Sequence, residues 1–309
     1  MTSDIAVLAE DLTKFYGAQR GIENLNLDVK VGEVMGFLGP NGAGKTTTIR
    51  LLLDFLRPTR GHARILGLDP RRDKAVLHRQ IGYLPGELAF PGRETAKDLL
   101  RFFGDARGGV AWSTVTSLAE RLDLDLSRRV RAMSKGNKQK VGLVQAFMHQ
   151  PALLILDEPT SGLDPLMQQE FLAMVRDARD NGQTVFMSSH VLAEVQSTAD
   201  RVAIVRNGQL AAVEKVESLG RRAVRSVEIH FGDPVSRAEF TGLPGVSNVE
   251  VAGPVLRCTV DGRLDPLIKA AALHEVIDLL SAEPDLEETF LSYYYHSEGA
   301  TDATAAAGA

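Results

Sequence analysis

Apolar and polar positions change period repeatedly along the chain. Between residues 5 and 31 they alternate in short pieces, and IENLNLDV sets Ile22, Leu25, Leu27 and Val29 at nearly strand-like spacing. The continuous apolar run EVMGFLG, residues 33–39, ends in glycine and predicts a buried strand. From Gly44 the pattern turns helical: Ile49, Leu52, Leu53 and Leu56 share a face, and Arg57-Pro58 closes the helix. IGYL, residues 81–84, reads as a strand that stops at Pro85-Gly86, a turn that presents Glu87 at the strand end. Residues 92–149 read as mostly helical. PALLILDEP, residues 151–159, is a second buried strand. Residues 165–180 form an amphipathic helix with Met167, Phe171, Met174, Val175 and Ala178 on one side, ended by Asn181-Gly182. TVFMSSH, residues 184–190, is a third strand, and RVAIVRNGQLAAV is a hairpin turning at Asn207-Gly208.

After about residue 220 the pattern restarts. SVEIHF, SRAEF, SNVEV, VLRCTV, PLIKAAALHEV, VIDLLSA and DLEETFLSYYYH give the order β-α-β-β-α-β-α, an α+β domain of ferredoxin-like kind. The expected organisation is a first domain over 1–220, with a helical subdomain at about 86–150, and an accessory domain over 221–297. Residues 298–309 are small, polar or alanine-rich and are read as a disordered tail.

Composition narrows the class. Of 309 residues 44% are hydrophobic, enough for one large or two smaller cores. The single cysteine, Cys258, cannot form an internal disulfide and sits in a strand-like run, as a small core residue in a reduced setting would. No apolar run approaches the roughly 18–20 residues that cross a bilayer, and no signal peptide is visible. A net charge of −5 argues against nucleic acid as a partner. The clusters Arg71-Arg72, Arg128-Arg129-Arg131 and Arg221-Arg222-Arg225 read as solvated faces.

Three stretches carry chemistry. GPNGAGKT, Gly39 to Thr46, matches the phosphate loop G-x-x-x-x-G-K-[ST] between a predicted strand and a predicted helix. Its glycines let the backbone of Gly39, Pro40, Asn41, Gly42, Ala43 and Gly44 curl so that its N–H groups, all but proline's, point at phosphate oxygens, and the helix start at Lys45, Thr46 and Thr47 adds a positive dipole end. Lys45 supplies charge to the outer phosphates, and the Thr46 hydroxyl can ligate Mg²⁺. In LLILDEPT, Asp157 and Glu158 emerge at a strand end; Asp157 is the natural Mg²⁺ partner, and Glu158 would polarise an attacking water. His190 closes TVFMSS and gains weight only from this company.

Taken in order, these residues resemble the ATP-binding cassette family over residues 4 to about 215. The resemblance implies an α/β, RecA-like phosphate-loop ATPase core with a helical subdomain, acting on ATP with Mg²⁺. Tyr16, in KFYGAQ, matches the adenine-stacking aromatic. MSKGNKQK stands for the usual LSGGQ signature and assigns Ser134 and Gly136 to the ATP held by the other subunit, although Lys135 and Asn137 depart from the common spelling. SGLDP places Ser161 and Asp164 in a loop crossing the dimer interface, and His190 matches the γ-phosphate histidine. The family usually has glutamine just after the YLP-like strand end, touching Mg²⁺ and the attacking water; here Gly86 holds that position, and Glu87 is expected to supply a metal-directed oxygen instead. The closing text DLEETFLSYYYHSEG is similar to bacterial drug- and antibiotic-exporter ATPases of the daunorubicin, bacitracin and tetronasin type. The resemblance thus implies a dimer, with itself or with a paralogue. It also implies a separate transmembrane permease and a place at the cytoplasmic face of the plasma membrane. An importer ATPase or a non-transport cassette ATPase shares the nucleotide motifs and stays open as an alternative.

Overall fold

A computed structural model describes residues 4–90, 92–218 and 225–282. The chain divides into two compact units between Glu214 and Lys215. The first begins with two long strands, β1 (Ile5–Tyr16) and β2 (Gln19–Lys30), longer than the short alternating pieces suggest. With β4 (Arg60–Ile65) they form an antiparallel sheet in the order β2-β1-β4. The second sheet has the order β5-β6-β7-β3-β8-β9, built from β3 (Val34–Leu38), β5 (Ile81–Leu84), β6 (Leu153–Asp157), β7 (Thr184–Ser189), β8 (Arg201–Arg206) and β9 (Gln209–Lys215). Strands β5, β6, β7, β3 and β8 pair in parallel. Such strands are covered on both faces, and every residue of β3, β6 and β7 is buried. Their continuous apolar text has this cause. The β8–β9 connection is a two-residue turn in which Asn207 and Gly208 take φ +48° and +77°.

Helix α1 (Lys45–Leu52) packs between the sheets, against β2, β4 and β6. It ends five residues before the expected Arg57. Asp54 turns into the left-handed region at φ +57°, and the Phe55 and Leu56 N–H groups both return to Arg50 O. Leu53 and Leu56 keep their helical spacing because both still pack on the core, one buried and one partly buried. Then come α2 (Lys74–Gln80) and the helical region α3 (Ala96–Ala106), α4 (Trp112–Arg121) and α5 (Lys135–Phe147). α5 packs on β5, α3 and α4. Helices α6 (Pro165–Asp180) and α7 (Leu192–Thr198) complete the unit.

The second unit holds β10 (Arg225–Phe231), α8 (Arg237–Phe240), β11 (Val246–Ala252), β12 (Val255–Val260), α9 (Asp265–Ala271) and β13 (Val276–Ala282). Its antiparallel sheet runs β11-β12-β10-β13, the order of two interleaved βαβ halves. Its own core gathers Val227, Ile229, Phe231, Phe240, Leu256 and Leu267. Cys258 belongs to that core, and burial pushes its thiol pKa up, away from reactivity. Helix α9 stops at Ala271, short of the expected Val276, where β13 begins. The expected helix over DLEETFLSYYYH lies outside the described residues.

Candidate active site

Parallel pairing puts the C-terminal ends of β3, β5, β6 and β7 along one edge of the sheet, the edge where open α/β proteins bind ligands. Gly39, Pro85-Gly86, Asp157-Glu158 and Ser189-His190 leave the sheet there, although they are far apart in the chain.

The loop Gly39–Gly44 joins β3 to α1. Its ends are tied down: Gly39 N–H donates to Ser189 O at 3.3 Å, and Gly208 N–H donates to Ala43 O at 2.9 Å. Gly44 caps α1 at φ +108°, where a Cβ would lie 2.6 Å from Ile22 Cγ2, so both its conformation and its surroundings require glycine. The Ala43 N–H bonds Pro40 O; the N–H groups of Asn41, Gly42, Gly44, Lys45 and Thr46 have no backbone partner among the described residues. That row of donors at a helix start is an anion cradle.

Lys45 is almost fully buried at 6% exposure. Its ammonium donates to Gly39 O at 2.6 Å and to Pro40 O at 3.2 Å. It also stands 3.0 Å from Glu158 Oε1, in an ion pair without hydrogen-bond alignment. The other Glu158 oxygen, Oε2, is 2.6 Å from His190 Nδ1. One carboxylate therefore spans Lys45 and a half-exposed histidine. Glu158 is held in the left-handed region at φ +49°.

Asp157 is completely buried at the end of β6. Ser188 Oγ donates to its Oδ1 at 2.7 Å and accepts the Glu158 N–H at 3.0 Å. Asp157 Oδ2 is buried and has no partner among the described residues. A buried, unpaired carboxylate oxygen is costly and is the donor that a hard dication takes. Asp157 therefore offers the kind of oxygen Mg²⁺ takes, and Thr46, partly buried at the start of α1, carries a second oxygen donor. Gly86 faces this oxygen: a Cβ there would lie 3.2 Å from Asp157 Oδ2.

The place of Glu87 differs from expectation. It is exposed, forms no described hydrogen bond or ion pair, and lines a groove of about 470 Å³ with Leu53, Phe55, Tyr83, Leu88, Phe103 and Arg107. The described residues hold no group of three acidic, histidine or cysteine side chains that could bind a metal, so Glu87 does not join Asp157 and Glu158. At the Pro85-Gly86 turn the inward position goes to Gly86, and Glu87 points away to the groove.

The remaining candidates fall into two groups. Tyr16, 45% exposed, meets Thr47 over Gly21: a Cβ on Gly21 would be 2.9 Å from Tyr16 Cε2 and 3.3 Å from Thr47 Cγ2. An aromatic face thus stands beside the cradle. Ser134 caps α5, its Oγ accepting from Asn137 N at 3.3 Å and from Asn137 Nδ2 at 3.1 Å. Gly136 abuts the loop that precedes α6, because a Cβ would fall 2.4 Å from Gly162 O. Lys135 Nζ donates to Ser161 Oγ at 2.9 Å, and Asp164 caps α6 through Met167 N at 3.1 Å. None of these partners belongs to the phosphate loop of the same chain. Two residues escaped sequence reasoning. One is Ser188. The other is buried Gln139, which donates to Pro159 O at 2.9 Å and so ties α5 to the loop after β6.

A parallel sheet with a phosphate loop after one strand and an Asp-Glu pair after a nearby strand defines a phosphate-loop nucleoside triphosphatase. The family model for ABC transporters matches residues 22–161. The chain is 37% identical over 226 residues to the bacitracin transport ATP-binding protein BcrA of Bacillus licheniformis, across 72% of this chain and 74% of that one. It is 29% identical over 300 residues to the linearmycin resistance ATP-binding protein LnrL of Bacillus subtilis, across 92% and 96% of the two chains. A solved ATP-binding subunit of an ABC transporter superposes with a TM-score of 0.65 at 31% identity, covering 70% of this chain and 92% of that one. The chain belongs to the ABC transporter family as an ATP-binding subunit, and its activity is transport-coupled ATP hydrolysis.

Proposed function

We propose that this chain powers efflux of antibiotic- or drug-like molecules through a separate permease, as one of two identical ATP-binding subunits that sandwich two Mg·ATP. The names of its bacitracin and linearmycin relatives support the cargo class and favour export over import or a non-transport role. The observation that carries the catalytic reading is the line Lys45–Glu158–His190 beside Asp157. Tyr16 stacks on the adenine, and the loop Gly39 to Thr47 takes the phosphates. Thr46 and Asp157 would hold Mg²⁺, which would supply positive charge to the outer phosphates. The γ-phosphate draws the Lys45 ammonium off Glu158. Freed, Glu158 accepts a proton from the attacking water as its oxygen bonds the γ-phosphorus and the bond from that phosphorus to the β,γ-bridging oxygen breaks, releasing ADP and phosphate, while His190 steadies the carboxylate and meets the γ-phosphate. Ser134, Gly136 and Asp164 close the site from the second copy; their described partners, Asn137, the Gly162 loop and Met167, lie outside their own phosphate loop. Glu87 serves coupling at the mouth of the groove, where the permease docks.

Light scattering tests this arrangement. Glu158→Gln keeps ATP binding, slows hydrolysis by about 10²–10⁴ and accumulates an ATP-bound dimer. Adding Ser134→Arg to that background abolishes the dimer and leaves nucleotide binding by the monomer intact. Parent-rate hydrolysis by Glu158→Gln would remove Glu158 as the base. Equal dimerisation with and without Ser134→Arg would sink the composite site, and dimers formed only with a second ATP-binding chain would replace the homodimer by a heterodimer.

A further inference from the structure

Ser188 lies outside the motifs, inside the buried strand β7, and among the described residues it is the one side chain bonded to both members of the Asp157-Glu158 pair. We propose that Ser188 is the positioning residue that sets the metal ligand and the base in one geometry; this rests on the reading of Asp157 as the Mg²⁺ ligand and Glu158 as the base. Parallel pairing puts Ser188 in register with Asp157. Its hydroxyl has a single proton, and that proton goes to Asp157 Oδ1 at 2.7 Å. The bond fixes the carboxylate plane and leaves Oδ2, buried and unpartnered, as the oxygen available to the metal. A lone pair on the same Oγ accepts the Glu158 N–H at 3.0 Å. That second bond pins the peptide whose left-handed φ of +49° aims the Glu158 carboxylate at Lys45 and His190.

The neighbouring serine shows that a hydroxyl on this strand is not enough. Ser189 Oγ donates to Glu194 Oε2 at 2.7 Å and accepts the Val191 N–H at 2.9 Å, so it organises the turn into α7 and touches neither acid. Only Ser188 has both a proton for Asp157 and an acceptor for Glu158. Alanine removes both bonds. Threonine retains the hydroxyl, and cysteine keeps the shape but is a weak donor and acceptor.

Outer-shell partners of metal ligands typically matter by about 10–100-fold in metal affinity or activity. The full chain with Ser188→Ala, Ser188→Cys and Ser188→Thr provides the test. ATP affinity is measured by calorimetry in EDTA and across a Mg²⁺ titration, Mn²⁺ binding in the presence of ATP by electron paramagnetic resonance, and kcat alongside. Ser188→Ala should keep a cooperative melt, at a lowered melting temperature because two buried hydrogen bonds are lost, and should keep the ATP affinity in EDTA. It should also weaken Mn²⁺ and Mg²⁺ binding and lower kcat, each by about 10–100-fold. Ser188→Cys should fall between alanine and the parent, and Ser188→Thr should restore metal binding and kcat together. The proposal is overturned if alanine and cysteine keep the parent's metal dependence and kcat. It is equally overturned if metal-free ATP binding falls in step with the metal effect. A parent protein whose ATP affinity ignores Mg²⁺ would instead remove Asp157 as the ligand, a separate failure.

Discussion

Glu158 is held where an isolated residue would not stay. A non-glycine residue at φ +49° carries strain of order 1–3 kcal/mol, and the Ser188, Lys45 and His190 contacts supply what opposes it. A second residue is set chiefly by burial. His149 Nε2–H donates to Ile81 O at 3.2 Å, while its Nδ1 is buried without a described partner. Burial first, then the nearby Arg107 charge, pushes its pKa down to about 4 from 6.5. The unfolded chain therefore binds a proton to His149 before the folded one does. The stability of the neutral form is complete above about pH 6.5 and is lost progressively as pH falls toward about 4. Thermal melts between pH 7.5 and 5 should show this slope, and His149→Gln should flatten it; an unchanged slope would place the acid sensitivity elsewhere.

At the scale of elements, the sequence was most legible where chemistry is contiguous. The phosphate loop and the Asp-Glu pair each sit in one short stretch, so spacing alone located them. Ser188 was illegible because its role comes from strand register, Asp157 opposite Ser188, and register is a property of the folded sheet. Helix α1 was overextended for a related reason: Leu53 and Leu56 are core residues whether helical or not. Strand β4, RGHARI, escaped because only Ile65 in it is buried. The groove between β5 and the helical region was also invisible. Its lining combines Phe55, Leu88 and Phe103 with Arg107, whose Nε is buried without a described partner. Once its amide is oriented by its neighbours, Gln145 O accepts from the Arg107 guanidinium at 3.0 and 3.2 Å, a neutral partner for a cation. Glu87 at the same groove has no ion pair either, so a docked segment meets unspent charges of both signs. Glu87→Ala should leave hydrolysis by the isolated subunit unchanged and lower ATPase activity and transport in the assembled transporter. If both assembled activities stay at the parent level, Glu87 is a surface charge with no part in coupling.

At the scale of the whole chain, the two units keep separate books of burial. In the first, a core cluster joins both of its sheets through α1, with Leu12, Ile22, Met35, Phe37, Ile49 and Phe186 among its members, and further buried residues such as Val144, Leu156, Phe171 and Val175 lie outside that cluster. The second has a distinct core around Ile229, Phe231 and Phe240. Every residue assigned to nucleotide, metal or catalysis precedes Glu214, the last residue of the first unit. The second unit carries no phosphate loop and no acidic pair at a strand end among its described residues. Its sheet instead exposes apolar side chains on β13, with Ile277 at 69% and Leu280 at 54%. A role in dimer stability or regulation, rather than in ATP contact, is what this distribution supports. A chain ending at residue 220 should therefore remain folded and bind ATP with the parent's affinity, measured by calorimetry, because no ligand-binding side chain is removed. In the Glu158→Gln background the same truncation should weaken the ATP-bound dimer, seen as a higher protein concentration needed for half-maximal light scattering. Loss of ATP binding by a truncated chain that retains its cooperative melt would place part of the nucleotide site in the second unit. An unchanged dimer would free that unit of any part in association.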